Sequence, residues 1–367
     1  MENRKFGATG LTPSILGFGM MRLKKNEDGT INEDWAIKTL RGAIDRGLTY
    51  VDTAYAYGDS ERVTGLCLQD GYRDKVTLAT KIPVNQVKCE EDFNWILDEE
   101  LSRLQTDHID IYLLHALSKS RWEECVLKYG ILSFAEKAKA AGKIRHIGFS
   151  FHDNLDVFKE ILNGYDKWEF CQIQLNYMDV NYQAGLEGLR LAHEKGLAVV
   201  IMEPLRGGTL ANVPDEVARM LPASPVESAL DFLWNLEEVN VVLSGMSETE
   251  QVEQNLAYAD RASAGMLTAE ENAAITAAGD KMRSFLSVPC TACNYCNVCP
   301  QNIAIPEIFA ISNAYQQCGD YGKAKSAYLA LGDRSAASCV ECGACVKQCP
   351  QHISIPQQLK KIHQRFV

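Results

Sequence analysis

Three features are scarce or missing in this 367-residue sequence, and each excludes a class of protein. No run of 18 or more apolar residues occurs, so the sequence predicts no membrane-spanning helix. The first residues lead into no apolar stretch, so we expect no secretory signal peptide. Positive charge is also scarce, since 37 Lys and Arg stand against 48 Asp and Glu and give a net charge of −11. This balance argues against general binding to nucleic acid or to an anionic membrane.

Cysteine is scarce over most of the chain and concentrated at one end. Four of the 13 cysteines are scattered over the first 289 residues, and the other nine fall between Cys290 and Cys349. In a chain without an export signal, this density indicates metal ligation rather than disulfides. We therefore expect a reducing, cytoplasmic location.

Eight short apolar runs alternate with segments of helical period, which predicts a parallel α/β sheet. Eight such units fit a closed (β/α)₈ TIM barrel. The alternative is an open doubly wound sheet, but Gly17-Phe18-Gly19 lacks the third glycine of the dinucleotide-binding fingerprint and no helix follows at once. One long helix is predicted over residues 121–141. The predicted strands are 15–19, 48–51, 76–79, 109–114, 144–149, 170–175, 197–202 and 239–243.

Four polar side chains stand at or just after the ends of predicted strands. Asp52 and Tyr57 follow the second strand, Lys81 follows the third, and His115 follows the fourth. Because the carboxyl ends of barrel strands meet at one mouth, we expect these side chains to lie close together. One of them alone would be a snorkelling lysine or a packed histidine. Together they predict proton transfer, in which Asp52 fixes the charge of Lys81 and that charge lowers the pKa of Tyr57.

The segments around these four residues resemble the catalytic tetrad of the aldo-keto reductase family, and the resemblance spans about residues 5 to 262. It implies an NAD(P)-dependent oxidoreductase that interconverts a carbonyl and an alcohol by hydride transfer. It also implies that Tyr57 donates a proton to the developing alkoxide, while His115 orients the carbonyl oxygen. The matching segments are Asp52-Thr53-Ala54, Tyr57-Gly58, Thr80-Lys81 and Leu113-Leu114-His115.

The same resemblance implies that NADP or NAD binds in the barrel mouth. Met202 stands where many relatives carry an aromatic ring that stacks on the nicotinamide, and a thioether orients a ring less firmly. Gly245 and Gln251 stand where NADP-preferring relatives carry basic residues for the 2′-phosphate, so this sequence supports NADP over NAD only weakly. The expected cofactor-binding residues are Ser150, Gln172, Asn176, Met202, Pro204, Leu205, Gly208, Ser244, Gly245, Gln251, Gln254 and Asn255.

Eight of the C-terminal cysteines form two motifs, CTACNYCNVCP from residue 290 and CVECGACVKQCP from residue 339. The second has the spacing of bacterial ferredoxins, and the first is one residue shorter before its last cysteine. In two-cluster ferredoxins three close cysteines hold one cluster and the fourth serves the other. Structural zinc is the alternative for C-x₂-C pairs, but two four-cysteine motifs followed by proline favour iron–sulfur. The predicted ligands of one [4Fe–4S] cluster are Cys290, Cys293, Cys296 and Cys349, and those of the other are Cys299, Cys339, Cys342 and Cys345.

These patterns predict a barrel over residues 1–262, a helical bridge over 263–289, and a small α-helical ferredoxin-like domain over 290–367. One hypothesis is a carbonyl-reducing enzyme with a small-molecule substrate, whose clusters carry electrons or stabilise structure. The other is a nicotinamide-binding redox sensor or electron-transfer module whose clusters report to a partner protein. Hydride transfer moves two electrons whereas a cluster moves one, and the sequence identifies no flavin site. The complete tetrad favours the enzyme, since a sensor needs no general acid.

Overall fold

Eight parallel strands close into a barrel in the computed structural model. The structure describes residues 1–290 and 294–367, apart from the side chains of residues 317 and 318. β1 pairs with both β2 and β8, so the sheet has no open edge, and the predicted TIM barrel is confirmed over the open sheet. The strands are buried on both faces, as expected where helices cover a parallel sheet. They are β1 Leu16–Gly19, β2 Tyr50–Asp52, β3 Thr77–Ile82, β4 Ile109–Leu117, β5 Ile144–Phe151, β6 Phe170–Gln174, β7 Ala198–Met202 and β8 Val241–Ser244.

The N-terminal segment closes the amino-terminal end of the barrel. Asn3 and Ser14 form an antiparallel bridge, and the Phe6 N–H donates to the Leu11 carbonyl over 2.9 Å. Phe6 is fully buried, and its ring packs on Tyr50 near the start of β2, with the ring centroids 6.0 Å apart. This apolar plug leaves the opposite, carboxyl-terminal rim of the strands as the mouth.

Helices follow the strands, and polar side chains cap some of them at the N-terminus. Asn32 accepts from the Trp35 N–H over 2.9 Å at the start of the first helix, and such caps satisfy N–H groups that lack a partner inside the helix. The helices are α1 Glu33–Asp45, α2 Ser60–Cys67, α3 Glu90–Leu104, α4 Lys119–Arg121, α5 Ile131–Ala140, α6 Leu155–Asn163, α7 Gly185–Glu194, α8 Asp215–Ala218, α9 Pro225–Trp234, α10 Thr249–Ala259, α11 Ala269–Ser284, α12 Ile305–Cys318, α13 Tyr321–Leu329, α14 Ala344–Gln348 and α15 Ile355–Phe366.

The single helix predicted over residues 121–141 is wrong. The chain forms α4, then a π-helix over Trp122–Leu127, and then α5. Gly130 separates the last two pieces with a φ of +69°, a left-handed conformation that glycine adopts readily and that ends a helix.

The chain divides into two compact units, one formed by residues 1–204 and 229–268 and the other by 205–228 and 269–367. The first contains the barrel. The prediction instead placed residues 205–228 in the barrel. Within the second unit, an ion pair of 3.2 Å between Lys281 of α11 and Glu216 of α8 explains part of the grouping.

The C-terminal part of the second unit has its own small apolar core. Phe309 of α12, Tyr328 of α13 and Phe366 of α15 are buried in it. The Tyr328 hydroxyl lies 2.8 Å from His363 Nδ1 and accepts from the Ala336 N–H over 3.1 Å, so this buried phenol is fully engaged. Among the described residues, no helix has both the length and the apolar character needed to cross a membrane.

Candidate active site

The four predicted catalytic residues meet at the carboxyl ends of β2, β3 and β4. Asp52 ends β2, Lys81 lies in β3 and His115 lies in β4, while Tyr57 lies in the loop before α2. The Lys81 Nζ lies 4.9 Å from the centre of the Tyr57 ring. The Tyr57 and His115 rings meet edge to face, with their centroids 5.8 Å apart. The fold therefore gathers an acid, a phenol, an amine and an imidazole at one mouth.

The Lys81 ammonium group is buried and bound on two sides. Its Nζ donates to Oδ1 of Asp52 over 2.5 Å and to the Thr53 carbonyl over 2.7 Å. Burial raises the pKa of Asp52, and the adjacent Lys81 charge opposes that rise. Oδ2 of Asp52 is buried without a hydrogen-bond partner among the described residues. The ion pair fixes the position of the ammonium group beside the Tyr57 ring.

The pKa of Tyr57 is shifted upward by its surroundings. Burial raises this pKa well above its usual value, the carboxylates of Asp52 and Glu203 raise it further, and Arg22 opposes them. The lowering by Lys81 that the sequence predicts stays a prediction, since the lysine charge is bound to Asp52 here and the Asp52 carboxylate lies near the phenol. Tyr57 is therefore protonated at neutral pH, which is the state that a proton donor needs.

His115 is neutral at neutral pH. It is 6% exposed, and its burial holds its pKa well below the usual range, with further lowering by the charges of Lys81, Arg121 and His152. A neutral imidazole carries one N–H donor and one nitrogen acceptor. It can therefore donate a hydrogen bond to an oxygen atom in the mouth without adding a full charge.

The backbone changes direction directly after His115. Ala116 has a φ of +54°, a conformation that costs a non-glycine residue about 1–2 kcal/mol, and the register between β4 and β5 shifts here. Side chains bind both polar groups of this residue. The Ala116 N–H donates to Ser150 Oγ over 2.7 Å, and its carbonyl accepts from Arg121 Nη1 over 2.9 Å. These two contacts hold the bulge that presents His115.

Three of the predicted cofactor residues lie near the ends of β6 and β7. Gln172 is buried, its Nε2 lies 3.7 Å from Met202 Sδ, and its Oε1 has no hydrogen-bond partner among the described residues. A buried amide oxygen without a partner can accept from a ligand. Asn176 differs, because it accepts from two backbone N–H groups of its own loop and donates to Asp179 and to the Glu203 carbonyl. Asn176 therefore stabilises the loop after β6.

The predicted serines are buried and already hydrogen-bonded. Ser150 accepts from the Ala116 N–H, as described above. Ser244, the last residue of β8, accepts from Asn255 Nδ2 of α10 over 3.0 Å. Each hydroxyl still carries its own proton as a donor.

The segment after β8 carries no basic residue at Gly245 or Gln251, and the cation beside it comes from the turn after β1. Gln251 Oε1 accepts from two backbone N–H groups, over 2.9 and 3.3 Å, and so caps α10. Gln254 is exposed on the same helix. Arg22 side-chain carbons lie 3.5 to 3.7 Å from the position that a Cβ on Gly245 would occupy, and its guanidinium lies 3.9 Å from Glu203. Arg22 is therefore the basic group beside Gly245.

The other predicted cofactor residues fall on both sides of the division between the units. Pro204 is the last residue of the first barrel segment, whereas Leu205 and Gly208 belong to the second unit. Gly208 has a φ of +93°, and the buried Arg206 beside it donates to the Cys290 carbonyl over 3.4 Å. Leu205 and Gly208 are thus part of a segment that is bonded to the cysteine-rich region.

Seven of the C-terminal cysteines line two cavities. No group of three or more His, Cys, Asp or Glu among the described residues could hold a single metal ion. Instead, one cavity takes three cysteines from the second motif and the last cysteine of the first, and the other takes two described cysteines of the first motif and the last cysteine of the second. Cys293 lies outside the described residues. The first cavity is lined by Cys299, Cys339, Cys342 and Cys345, and the second by Cys290, Cys296 and Cys349.

The sequence model of the Aldo/keto reductase family matches residues 15–280, which is well over half of the chain. The chain belongs to the aldo/keto reductase family. It is therefore an oxidoreductase, and the resemblance inferred from the sequence is confirmed.

Similar aldo/keto reductases and related dehydrogenases support this membership. L-galactose dehydrogenase of Arabidopsis thaliana is 30% identical over 291 residues, covering 70% of this chain and 88% of that protein. Aldo-keto reductase YhdN of Bacillus subtilis is 35% identical over 176 residues, which span 44% of this chain and about half, 51%, of that protein. The solved structure of aldo-keto reductase AKR11C1 from Bacillus halodurans, in its holo form, superimposes with a TM-score of 0.65 at 26% identity, covering 76% of this chain and 96% of that one.

The C-terminal region matches a 4Fe-4S dicluster domain over residues 289–354. The prediction of two [4Fe–4S] clusters is therefore confirmed, and structural zinc is wrong. The thiolates of the two cavities are the donors that such clusters need. We call residues 289–367 the cluster domain.

Some functional residues of this aldo/keto reductase were missed from the sequence. Three such residues affect the charge or the backbone of the tetrad, namely Arg22, Arg121 and Glu203. None of them ends a predicted strand in a recognised motif. Arg22 lies in a short 3₁₀ turn after β1, and Arg121 ends α4. Polar residues in the loops at the carboxyl ends of barrel strands were the signal that could have identified them.

Proposed function

We propose that this chain reduces the carbonyl group of a small molecule to an alcohol with NADPH or NADH, and that Tyr57 is the general acid. The observation that carries this proposal is the convergence of Asp52, Tyr57, Lys81 and His115 at one rim of the barrel. When bound, the nicotinamide supplies a hydride to the carbonyl carbon. The chain's own groups supply the proton and the orientation.

Tyr57 donates its phenolic proton to the oxygen that becomes the alcohol. Lys81 stands beside the ring of Tyr57, where its charge stabilises negative charge that develops on the phenol oxygen. Asp52 holds Lys81 in place. His115, being neutral, donates a hydrogen bond to the carbonyl oxygen and orients it toward Tyr57.

The protonation state of Tyr57 is suited to reduction. Reduction starts with a protonated phenol, which burial and the neighbouring carboxylates maintain.

The residues present suit a nicotinamide. Gln172 offers a buried amide oxygen without a described partner, which could accept from a carboxamide, and Met202 lies beside it as an apolar contact. Ser150, Asn176, Ser244 and Asn255 would border the same ligand. Leu205, Gly208, Gln254 and Pro204 remain proposed contacts on the strength of the family resemblance alone. Gln251 is a weaker candidate because α10 already uses its side chain.

We also propose the crossed set of cluster ligands. The cavity that contains Cys299 with three cysteines of the second motif supports it, as does the position of Cys349 beside Cys290 and Cys296. Cys293 completes the second set by its spacing. The clusters supply one-electron redox centres, and we propose that they exchange electrons with a partner protein.

The test is Tyr57→Phe, assayed by NADPH and NADH consumption with a panel of aldehydes and ketones. We expect turnover to fall by about 10²- to 10⁴-fold while binding of NADPH, followed by fluorescence, is largely unchanged. Tyr55→Phe is the matched control, because this tyrosine lies on the same loop but donates to Glu99 over 2.8 Å. Full activity of the Tyr57→Phe variant would exclude Tyr57 as the acid. A protein that binds NADPH but consumes none with any substrate of the panel would support the sensor hypothesis instead.

A further inference from the structure

We propose that Thr53 and Ser60 are positioning residues, whose buried hydroxyl groups hold Tyr57 beside Lys81. The inference rests on the proposed role of Tyr57 as the general acid, and it adds two residues to those of the tetrad. Thr53 follows β2 and Ser60 is the first residue of α2, so they stand at the two ends of the loop that carries Tyr57. We call Thr53 Oγ1 and Ser60 Oγ together the hydroxyl pair.

The hydroxyl pair joins the two ends of this loop. Its oxygen atoms lie 2.8 Å apart, and the residues are 0% and 1% exposed. Ser60 donates its hydroxyl proton to the Met20 carbonyl over 2.9 Å. Because a serine hydroxyl has only one proton, Thr53 is the donor within the pair. Both protons of the pair are therefore used, and the direction of each bond is fixed.

The Thr53 end of the loop is bonded to Lys81. The Thr53 N–H donates to the Ala79 carbonyl over 2.9 Å, which continues the pairing of β2 with β3. The Thr53 carbonyl accepts from Lys81 Nζ over 2.7 Å. The Tyr55 N–H then donates to the Lys81 carbonyl over 3.3 Å. One residue therefore binds the ammonium group with its backbone and Ser60 with its side chain.

The Ser60 end of the loop is bonded to Tyr57. The Ser60 N–H donates to the Tyr57 carbonyl over 3.3 Å, and the Tyr57 N–H donates to the Ala54 carbonyl over 3.0 Å. Met20, which accepts from the Ser60 hydroxyl, begins the 3₁₀ turn after β1. A displacement of Ser60 would therefore displace Tyr57, whose ring centre lies 4.9 Å from Lys81 Nζ.

Buried hydroxyl groups at this place indicate a role beyond packing. Apolar side chains would fill the space without hydrogen bonds, whereas a buried hydroxyl costs free energy unless it is bonded. Hydrogen bonds are directional, so they fix the separation of the two loop ends. A general acid needs its heavy atom within about 2.6–3.2 Å of the proton acceptor, and a displacement of about 1 Å can lower the rate about 100-fold. The hydroxyl pair acts on the reaction through the position of Tyr57.

The test removes hydroxyl groups from the full chain, purified without oxygen and loaded with iron and sulfide. Ser60→Ala and Thr53→Val each remove one member of the pair, and a double variant removes both. Ser14→Ala is the matched control. Ser14 is also fully buried, and its hydroxyl donates to the Leu16 carbonyl and accepts from the Thr49 N–H, both over 2.8 Å. It loses the same number of bonds as Ser60→Ala, but at the amino-terminal end of the barrel.

The probe reaction is the reduction of benzaldehyde by NADPH. We expect Ser60→Ala and Thr53→Val to lower kcat at least about tenfold, while KM for NADPH changes by less than about twofold. The solvent deuterium isotope effect on kcat should rise in both variants, because a misplaced phenol slows proton transfer relative to the other steps. The double variant should be no slower than the slower single variant, since residues that act as a unit are not additive.

The control separates positioning from a general loss of structure. Ser14→Ala should keep kcat within about twofold of the parent chain and leave the isotope effect unchanged. Equal losses of kcat in Ser60→Ala and Ser14→Ala would overturn the proposal. A Ser60→Ala variant with the kcat or the isotope effect of the parent chain would also overturn it, and so would single effects that multiply in the double variant.

A second measurement decides the proposal without catalysis. Amide hydrogen exchange in residues 54–60 should be faster in Ser60→Ala than in the parent chain and unchanged in Ser14→Ala. Unchanged exchange in Ser60→Ala would show that the hydroxyl pair does not hold the loop. If Tyr57→Phe reduces benzaldehyde at the parent rate, or the parent chain does not reduce it, the proposed catalysis fails for this substrate, while the exchange result still decides whether the pair holds the loop.

Discussion

The barrel and the cluster domain build their sites in opposite ways. The barrel brings together side chains from three strands and a loop, and it holds Lys81 with protein groups alone, over 2.5 and 2.7 Å. The cluster domain takes its ligands from two short segments, and two of those cysteines, Cys296 and Cys345, belong to its small buried core. The comparison teaches that the barrel site is preorganised by protein groups, and we expect the cluster domain to depend on its clusters for part of its structure.

Removal of iron should produce the largest difference between the two regions. We expect chelation of the oxidised protein to abolish protection against hydrogen exchange in α14 and in residues 294–301, because the cavities would lose the groups that join their walls. The strands of the barrel should keep their protection. Mass spectrometry of peptides from both regions provides the measurement. Unchanged hydrogen-exchange protection of the cluster domain without iron would show that its structure does not depend on the clusters.

Asp52→Asn should be the most damaging single change in the barrel. It removes the negative charge that balances the buried Lys81 ammonium group, and leaving a buried charge uncompensated costs about 3–5 kcal/mol in the free energy of unfolding. The control is Asp45→Asn, which breaks an exposed ion pair of 3.1 Å with Lys75 and should cost about 1 kcal/mol or less. Urea unfolding followed by tryptophan fluorescence measures both. Equal losses would mean that the barrel site is not preorganised by this pair.

Glu100→Gln, in helix α3, should have a smaller effect on stability than Asp52→Asn. Glu100 is fully buried and accepts from the Tyr112 hydroxyl over 2.6 Å, and burial raises its pKa well above the usual range. The folded state therefore binds a proton that the unfolded state releases, so the free energy of unfolding falls as pH rises above about 4.5.

The Glu100→Gln variant lacks this titration. Between about pH 4.5 and the raised pKa of Glu100, the free energy of unfolding of the variant should increase relative to that of the parent chain by about 1.4 kcal/mol per pH unit. The exposed Glu27→Gln is the control and should follow the parent chain. Parallel pH curves for the parent chain and Glu100→Gln would show that Glu100 is ionised in the folded barrel.

The smallest expected effect is the response of catalysis to pH. The pKa of His115 lies well below its usual range and that of Tyr57 lies well above, so neither changes charge between pH 7 and 9 in the free protein. We expect kcat/KM for carbonyl reduction to vary by no more than about twofold over this interval. Initial rates at low substrate concentration measure it. A midpoint near pH 8 would instead indicate that Lys81 lowers the pKa of Tyr57 as the sequence suggested.

Much of the fold and the placement of the tetrad could be predicted, because both follow from local patterns. Apolar runs of strand length and polar residues at their carboxyl ends are visible in the sequence, and the barrel topology then brings Asp52, Lys81 and His115 together. The cysteine spacing likewise indicated iron–sulfur clusters.

The remaining features depend on contacts between distant residues, which no local pattern encodes. The pKa of Tyr57 is set by the surrounding burial and by Glu203 and Arg22, which come from other loops. Gln251 has the type expected near a nucleotide, but its amide is used in a helix cap. The break at Gly130 and the grouping of residues 205–228 with the second unit also depend on tertiary structure.

The proposed exchange of the last cysteines between the two motifs would couple the loading of the two clusters. If Cys299 and Cys349 bind as proposed, the loss of either cluster frees a cysteine in the motif that holds the remaining cluster. A chain with one cluster would then have at least one unbound cysteine in each motif. Native mass spectrometry of a partly reconstituted sample should therefore show mainly chains with none or with both of the two clusters of the dicluster domain, and few with one.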